Sequence, residues 1–306
     1  MSLPAELIRI WLRHTVKRDS LPDPGIEQMR REFDAQMRFI PGPPKGTKAT
    51  SHDVSSVKGV RITVPRSLSD CHILYFHGGG YVSGSPSHYR DFIWRIARAS
   101  SACVLCIHYR LSPEHPFPAS LDDAVSAYSW LLAQGAAPAR IVIMGDSAGG
   151  GLAFATLLRL RAQGILLPAA VVALSPWTDL AMTGRSLRTN ADSDPMLKAG
   201  QAANCARMYL AGVDPRTPYA SPLYGDQAGL PPTLIQVGSD EILLDDSVRM
   251  AKKLRAAGCQ VEIEIWPRMP HVWQVYARML PEARQAVARI GTFVQREMRS
   301  SVGNSR

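Results

Sequence analysis

The feature that most constrains this chain is one serine between two glycines, at the junction of a strand-like and a helix-like segment. Residues 145–150 read Gly-Asp-Ser-Ala-Gly-Gly and contain the pattern Gly-x-Ser-x-Gly. The apolar run 141–144 precedes this segment, and the helix-like run 152–158 follows it. A strand, a sharp turn with a serine and a helix form the context in which the pattern becomes a nucleophile elbow. The sequence therefore predicts a nucleophilic serine, Ser147, at the end of a buried strand.

The residues around Ser147 fit the geometry that such a turn requires. Gly145 and Gly149 flank the serine, where a side chain would clash with the strained turn. The backbone N–H of Ala148 is expected to point toward a developing oxyanion from the start of the next helix, where the helix dipole favours negative charge. Ala148 is therefore a candidate oxyanion donor.

A second glycine-rich segment, His77-Gly78-Gly79-Gly80, follows the strand-like run 73–76. Successive glycines leave the backbone free to turn its N–H groups into a cavity, so we expect Gly78 and Gly79 to donate to the oxyanion together with Ala148. The alternatives are a flexible glycine loop without a ligand and a phosphate cradle. The phosphate cradle is disfavoured because neither Gly-Lys-Ser/Thr nor a strand–Gly-x-Gly-x-x-Gly–helix unit is present.

A serine nucleophile needs a base, and His271 is the one histidine that follows Ser147 in the sequence. It lies just beyond the strand-like run 261–265, in a turn before a helix-like segment. A histidine of a surface loop is the alternative interpretation. The elbow and the glycine loop favour His271 as the catalytic base, because the base follows the serine in chain order in this type of site.

The acid that orients the base has several candidates. Asp240 follows the strand-like run 233–237, at the end of the strand where the sites of open α/β sheets lie. Glu241, Asp245 and Asp246 compete with it. The last two open a helix-like segment, where acidic residues are explained by the helix dipole. We therefore expect Asp240 to hold the imidazole in its reactive tautomer.

The whole set of motifs resembles the bacterial hormone-sensitive-lipase-like esterases (family IV) of the α/β-hydrolase fold, from about residue 60 to about residue 295. The segments that carry the resemblance are 77–81 with 84–85, 109–119, 145–150, 175–179 and 194–195. The resemblance implies the same nucleophile, acid, base and oxyanion donors as those named above. One departure is that a second acidic residue, Asp245, lies five positions after Asp240, where many relatives have it four positions on.

Strand-like and helix-like segments alternate along the chain. The predicted strands are 60–64, 71–76, 102–109, 140–144, 169–174, 232–237 and 260–265, and the predicted helices are 87–99, 120–134, 148–163, 246–257 and 281–298. This alternation predicts an α/β fold with a mostly parallel central sheet flanked by helices. The first strands have no helix between them, so we expect an antiparallel edge there.

Two regions stand outside the alternation and resemble the helical cap of that family. The predicted organisation is an N-terminal part of the cap (1–45), a first part of the core (46–179), a cap insertion (180–218) and a second part of the core (219–306). The N-terminal region reads as two amphipathic helices separated by 21–25, and the insertion contains a helix-like run, 199–210. A cap excludes water from the site and shapes the substrate pocket.

The first helix has an apolar stripe formed by Leu3, Leu7, Ile8, Trp11 and Leu12. This stripe fits either a helix on a membrane surface or a cap helix packed on the core, and we favour the cap helix. The stretch is too short and too charged for a signal-peptide core or a membrane span. We therefore expect a cytoplasmic protein without integral membrane association.

Composition excludes several other functions. The formal net charge is +9, but the lysines and arginines are dispersed and form no recognition motif, so no nucleic acid partner is expected. The chain has five cysteines, and Cys103 and Cys106 would face opposite sides of one strand, which argues against a redox or metal pair. The chain reads as a reduced cytosolic protein. No cofactor and no metal site are expected.

The sequence thus predicts a carboxylesterase that acts on a small-molecule ester, with short to medium acyl chains implied by the family resemblance. Tyr81, Trp177 and Trp273 are candidates for the pocket wall, with core packing as the alternative for each. An amidase or deacetylase would use the same catalytic groups. A non-catalytic receptor on the same fold is disfavoured by His271, because the related plant hormone receptors lack this histidine. A homodimer through an edge strand is compatible with the family and is not readable from these residues.

Overall fold

The computed structural model describes residues 2–17, 25–37 and 42–303. Most of the break expected at 21–25 between the first two helices lies outside these residues. The strands are β1 (Lys48–Val54), β2 (Val57–Thr63), β3 (Leu68–Phe76), β4 (Ala102–His108), β5 (Ile141–Asp146), β6 (Ala170–Leu174), β7 (Thr233–Gly238) and β8 (Val261–Trp266). The α-helices are α1 (Leu3–Leu12), α2 (Ile26–Met37), α3 (Arg90–Ser100), α4 (Ala119–Ala133), α5 (Ala148–Ala162), α6 (Ser186–Thr189), α7 (Ala199–Leu210), α8 (Leu244–Ala256) and α9 (Pro281–Gly303).

The strands form one mixed sheet in the order β1-β2-β4-β3-β5-β6-β7-β8. Strands β3 to β8 pair in parallel, whereas β1 with β2 and β2 with β4 pair antiparallel. The α/β fold and the antiparallel edge predicted from the sequence are therefore confirmed. Strands β5, β6 and β7 are buried along their whole length, which explains why they read as mostly apolar runs. Strand β8 lies at the edge of the sheet, is partly exposed, and alternates apolar and charged residues.

The register of the parallel strands brings their carboxyl ends to one edge of the sheet. Phe76 at the end of β3 lies opposite Gly145, and Gly145 lies opposite Ala173 of β6. Gly238 at the end of β7 lies opposite Trp266 of β8. The loops that follow these five strands therefore meet at the same edge, where ligands bind in open α/β sheets.

Strand β1 is the one described strand that the sequence did not predict. Six of its seven residues are exposed or partly exposed, and only Val54 is buried. It lies at the edge of the sheet and pairs only with β2. Because its side chains bury almost no apolar surface, its sequence carries no alternating pattern that would indicate a strand.

Two apolar layers cover the sheet, one on each face. Helices α4, α5 and α8 contribute to one layer, and α3 and α9 contribute to the other. Helix α1 joins the second layer through Ala5, Ile8 and Leu12, which are buried among residues of α3 and α9. The N-terminal helix is thereby part of the same hydrophobic core as the sheet.

Helix α1 buries only part of the apolar stripe that the sequence suggests. Ile8 and Leu12 pack into the core, but Leu3 is 74% exposed, Leu7 is 58% exposed and Trp11 is 45% exposed. The expectation that the entire stripe packs on the core is therefore wrong for these three residues. The buried face instead runs through Ala5, Ile8, Arg9 and Leu12, so it includes a charged side chain.

None of the described helices combines the length and the apolar character needed to cross a bilayer.

Helices α3 and α9 approach each other closely at one glycine. A Cβ atom on Gly291 of α9 would overlap the carbonyl group and the Cβ of Ala99 in α3. Gly200 in α7 has nothing within 4 Å of the same position. The two helical glycines therefore form a matched pair, one required by packing and one not.

We expect Gly291→Ala to lower the free energy of unfolding by about 1–2 kcal/mol, because the overpacking penalty exceeds the gain in helix propensity. Gly200→Ala should raise it by up to about 1 kcal/mol, because only the propensity gain remains. Urea unfolding followed by circular dichroism measures both changes. Equal stabilisation by the two substitutions would contradict the close approach of α3 and α9.

Candidate active site

Ser147 occupies the turn between β5 and α5, as the sequence pattern predicts. Its backbone has φ 54° and ψ −121°, a conformation that L-residues rarely adopt. Its N–H donates to the Leu174 carbonyl at 2.8 Å, and its carbonyl accepts from the Trp177 N–H at 2.9 Å. These bonds to the segment after β6 hold the strained turn in place.

The two glycines of the pattern are required by close backbone contacts. A Cβ on Gly145 would overlap the carbonyl of Gly149, and a Cβ on Gly149 would overlap the carbonyls of Phe76 and His77. The first turn of α5 therefore lies directly on the ends of β5 and β3. This contact brings the loop after β3 next to Ser147.

His271 is buried in the loop after β8, and its ring is paired with Glu241. Its Nδ1 lies 2.7 Å from Oε2 of Glu241. The other oxygen of this carboxylate, Oε1, accepts the N–H of Gly238 at 2.6 Å and the hydroxyl of Ser175 at 2.7 Å. Because the carboxylate is fully buried and takes three hydrogen bonds, the imidazole has one well-defined orientation.

The expectation that Asp240 contacts the base is wrong in this structure. The Asp240 carboxylate instead pairs with Arg9 of α1, with Nη2 of the arginine 2.8 Å from Oδ2. Consecutive side chains in the loop after β7 point in different directions, so only one of the two acids can reach the ring. Glu241, one of the competitors weighed from the sequence, has the contact with His271.

The pKa of His271 is raised above its ordinary value of 6.5. Burial alone lowers the pKa of this imidazole, but the hydrogen bond and the charge of Glu241 raise it more strongly. The buried carboxylates of Asp194 and Asp146 add to the increase. The ring is therefore a stronger base than an isolated histidine.

Gly78 does not present its N–H to the cavity. This N–H donates to Oδ1 of Asp146 at 3.0 Å and lies 3.1 Å from the hydroxyl oxygen of Tyr89. The expectation that Gly78 is an oxyanion donor is therefore wrong, because a carboxylate already holds the group. Asp146, the residue before the nucleophile, instead ties the glycine loop to the elbow.

Gly79 and Gly80 line the cavity, and neighbouring groups fix their peptide planes. The carbonyl of Gly78 accepts a hydrogen bond from Nδ1 of His77 at 2.8 Å. The carbonyl of Gly79 accepts from the N–H groups of Val82 and Ser83 at 3.1 and 3.0 Å. Because C=O and N–H point to opposite sides of a trans peptide, these bonds direct the next N–H groups, those of Gly79 and Gly80, the other way.

The N–H groups of Gly79, Gly80 and Ala148 donate to no acceptor within the part of the chain that the structure describes. Ala148 opens α5, so its N–H belongs to the first turn, where no helical partner exists. The three groups form a candidate oxyanion site. Gly80 was missed from the sequence because three equal glycines give no sign of which N–H a neighbour occupies.

Two buried groups stabilise the glycine loop behind this site. Burial lowers the pKa of His77 to about 3, so its ring is neutral and donates from Nδ1 to the Gly78 carbonyl. Burial also raises the pKa of Asp146 to about 6, although the hydroxyls of Tyr75 and Tyr89 lower it by donating at 2.6 and 2.9 Å. The loop thus rests on a dense polar network beneath the cavity.

Ser147 and His271 open into one cavity of about 860 Å³. This volume lies within the range of small-molecule sites, which are about 300–1,000 Å³. The wall is mostly apolar and comes from α1, α2, the segment before α7, and the turn between β8 and α9. Its apolar side chains include Leu7, Ile8, Trp11, Met29, Phe33, Val82, Met196, Leu197, Val275, Tyr276 and Met279.

Of the three aromatic residues expected on the wall, the structure brings only Trp177 to the cavity. Tyr81 is 1% exposed and stacks on Tyr209, with ring centroids 3.8 Å apart. Trp273 is fully buried and packs on Trp266. The expectation is wrong for Tyr81 and Trp273, because both rings are used for core packing.

Among the residues that the structure describes, no cluster of three or more metal-ligating side chains is found.

Comparison with known proteins shows the family and the fold of the chain. The family model of the α/β-hydrolase fold matches residues 73–275. An acetyl-hydrolase of Streptomyces hygroscopicus is 48% identical over 73% of this chain and 75% of its own length. An esterase of Acinetobacter venetianus is 35% identical over 92% of this chain and 93% of its own.

Solved structures are similar over almost the entire chain. A crystal structure of an esterase from the bacterial hormone-sensitive lipase family is 43% identical, with a TM-score of 0.93 over 97% of this chain and 99% of that one. The esterase EstE5, crystallised and soaked with p-nitrophenyl butyrate, is 39% identical with a TM-score of 0.93, covering 97% and 99% of the two chains.

The partner of His271 can be tested spectroscopically. We expect the Nδ1–H of His271 to give a strongly downfield-shifted proton resonance, which Glu241→Gln removes and Asp240→Asn keeps. Glu241→Gln should also lower the pKa of His271, because burial remains while the neighbouring charge is lost. The measurement is proton NMR across a pH series. Loss of the resonance in Asp240→Asn, with its retention in Glu241→Gln, would restore the original assignment.

Proposed function

Because the chain belongs to the hormone-sensitive-lipase-like esterases of the α/β-hydrolase fold, we propose that it hydrolyses short- to medium-chain carboxylic esters through a Ser147–His271–Glu241 triad. The chain is a serine carboxylic ester hydrolase.

The first half of the reaction forms the acyl-enzyme. Oγ of Ser147 attacks the ester carbonyl while Nε2 of His271 takes the hydroxyl proton. Glu241 keeps the other proton on Nδ1 and stabilises the imidazolium that forms. The N–H groups of Gly79, Gly80 and Ala148 donate to the oxyanion. The intermediate then expels the alcohol, which receives its proton from His271.

The second half repeats the same steps with water. His271 takes a proton from a water molecule, whose oxygen attacks the acyl carbon bound to Ser147. The second tetrahedral intermediate uses the same oxyanion donors. It expels the serine oxygen, which is reprotonated by His271, and the carboxylic acid leaves.

One observation carries the proposal: Ser147 and the His271 that is paired with Glu241 line the same cavity as Gly79 and Gly80. The N–H groups of these two glycines and of Ala148, the residue after Ser147, have no described acceptor. A nucleophile, an oriented base and oxyanion donors are the groups that acyl transfer requires. Each is held by a different loop at the carboxyl edge of the sheet. A receptor without catalysis would not need the buried carboxylate behind the imidazole.

The substrate range follows from the cavity and from the relatives. The wall offers apolar surface for an acyl chain or an alcohol of moderate size, and the volume of about 860 Å³ is that of a site for a drug-sized molecule. Similarity to an acetyl-hydrolase favours a short acyl group. We further propose that α1, α2 and the segment 180–218 act as the cap that shapes this pocket, since residues from each line the cavity.

Hydrolysis of p-nitrophenyl esters from acetate to decanoate tests the proposal. We expect the wild type to turn over the short and medium esters with an initial burst, and Ser147→Ala to lose at least about 10⁴-fold in kcat. Glu241→Gln should lose up to about 10⁴-fold, because the imidazole loses its fixed tautomer. Asp240→Asn should lose at most about 100-fold, because it changes the position of the base and not its chemistry.

Two controls make this test decisive. Melting curves of each variant show whether a loss of turnover reflects unfolding. The matching p-nitroanilides, assayed beside the esters, show whether amides are preferred. Turnover of anilides above that of esters would shift the assignment to an amidase, and absence of turnover on both series would overturn the catalytic proposal.

A further inference from the structure

We propose that Arg9 of α1 is a positioning residue for the Glu241–His271 pair, so that the packing of the N-terminal helix on the sheet sets the orientation of the base. The inference rests on the proposed function, since it concerns the same triad. It assigns a role to a charged residue in a helix that contributes no group to the chemistry itself.

The first observation is the burial of a full charge in the core-facing side of α1. Arg9 is 5% exposed and lies on the same face as Ala5, Ile8 and Leu12. Arginine is almost never fully buried unless its guanidinium group is paired. Burial of a guanidinium group is energetically unfavourable unless acceptors surround it. The groups that accept its hydrogen bonds therefore indicate the role of Arg9.

The two shortest contacts of the guanidinium group are made to the loops that carry Glu241 and His271, while longer ones go to the Ser193 carbonyl at 3.5 Å and to Glu6 at 3.9 Å. Nη2 of Arg9 lies 2.8 Å from Oδ2 of Asp240, the residue before Glu241. Nη1 donates to the carbonyl of Arg268 at 2.7 Å, three residues before His271. One planar guanidinium group therefore joins the loop after β7 to the loop after β8.

Further hydrogen bonds join these two loops to each other through Ser239, and join the loop after β7 to Asn190 in the segment after α6. The Ser239 hydroxyl donates to Oδ1 of Asp240 at 2.9 Å, and its oxygen accepts the N–H of Arg268 at 2.8 Å. The Asn190 amide donates to the carbonyls of Ser239 and Glu241 at 3.0 and 2.9 Å. Arg9 completes this network from the side of α1.

Loss of Arg9 leaves the Asp240 carboxylate, whose side chain is only 17% exposed, without its cationic partner. A mostly buried unpaired carboxylate moves toward water, and the loop that contains Glu241 moves with it. A displacement of about 1 Å at a catalytic group can lower the rate by about 100-fold. The contact of 2.7 Å between Glu241 and His271 is the geometry at risk.

The same helix also forms part of the cavity wall. Leu7, Ile8 and Trp11 line the cavity, and Arg9 lies between them in sequence but points toward the catalytic loops. The position of α1 therefore determines both the shape of the pocket and the geometry of the base. A purely structural anchor would affect the stability of the fold without changing the Glu241–His271 contact in the folded molecules.

The experiment compares the wild type with Arg9→Met, Arg9→Lys and the control Arg13→Met. Arg13 is exposed one turn further along the chain and donates only to the carbonyls of Asp192 and Ser193. Each protein is assayed with p-nitrophenyl butyrate well below its melting temperature. The downfield proton resonance of His271 is recorded on the same samples.

We expect Arg9→Met to lower kcat by about 10- to 100-fold with KM changed less than about threefold, and to shift or broaden the His271 resonance. The kcat of Arg9→Lys should lie between those of the wild type and Arg9→Met, because a lysine ammonium group can pair with Asp240 but cannot join both loops. Arg13→Met should match the wild type in both measurements.

A folded Arg9→Met with kcat within twofold of the wild type and an unchanged His271 resonance would overturn the inference. Should Arg9→Met fail to fold, the same two results obtained with Arg9→Lys would overturn the inference. A wild type that turns over no ester refutes the proposed function alone, because the resonance still reports whether Arg9 positions the Glu241–His271 pair.

Discussion

The close approach of the first turn of α5 to the ends of β3 and β5 is the contact on which the site depends. It exists because Gly145 and Gly149 have no side chains, so that backbone packs directly on backbone. The approach forces Ser147 into a rare conformation and places the Ala148 N–H next to the glycine loop. A side chain on either glycine would move the turn that contains Ser147 away from the glycine loop after β3.

Buried carboxylates provide most of the remaining order at the carboxyl edge of the sheet. Asp146 accepts hydrogen bonds from a backbone N–H and two tyrosine hydroxyls, and Glu241 accepts from a backbone N–H, a serine and the imidazole. Hydrogen bonds to charged groups contribute about 1.5–3 kcal/mol each, and leaving such a group unpaired is costly. The catalytic loops are therefore held by polar contacts, whereas the layers on either side of the sheet are held by apolar packing.

The sequence predicted the elements of the core well because their patterns are strong. The helix expected at 199–210 coincides with α7, and the parallel strands end within two residues of their predicted limits. The sequence did not identify Glu241 as the partner of His271, because Asp240 and Glu241 are adjacent and only the folded loop determines which of them faces the ring. It did not show that the Gly78 N–H is occupied for a similar reason, since the partner of Gly78, Asp146, is distant in sequence. Strand β1 escaped prediction because an edge strand with one buried residue carries no apolar pattern.

Helix α1 contacts both the cavity and the loops that carry Glu241 and His271. Its side chains at positions 7, 8 and 11 bound the cavity, and the arginine among them reaches the loops of the acid and the base. Exchange of this helix for that of a relative would thus alter selectivity and turnover together. Efforts to broaden the substrate range are better directed at Met29 and Phe33 of α2, which line the same cavity.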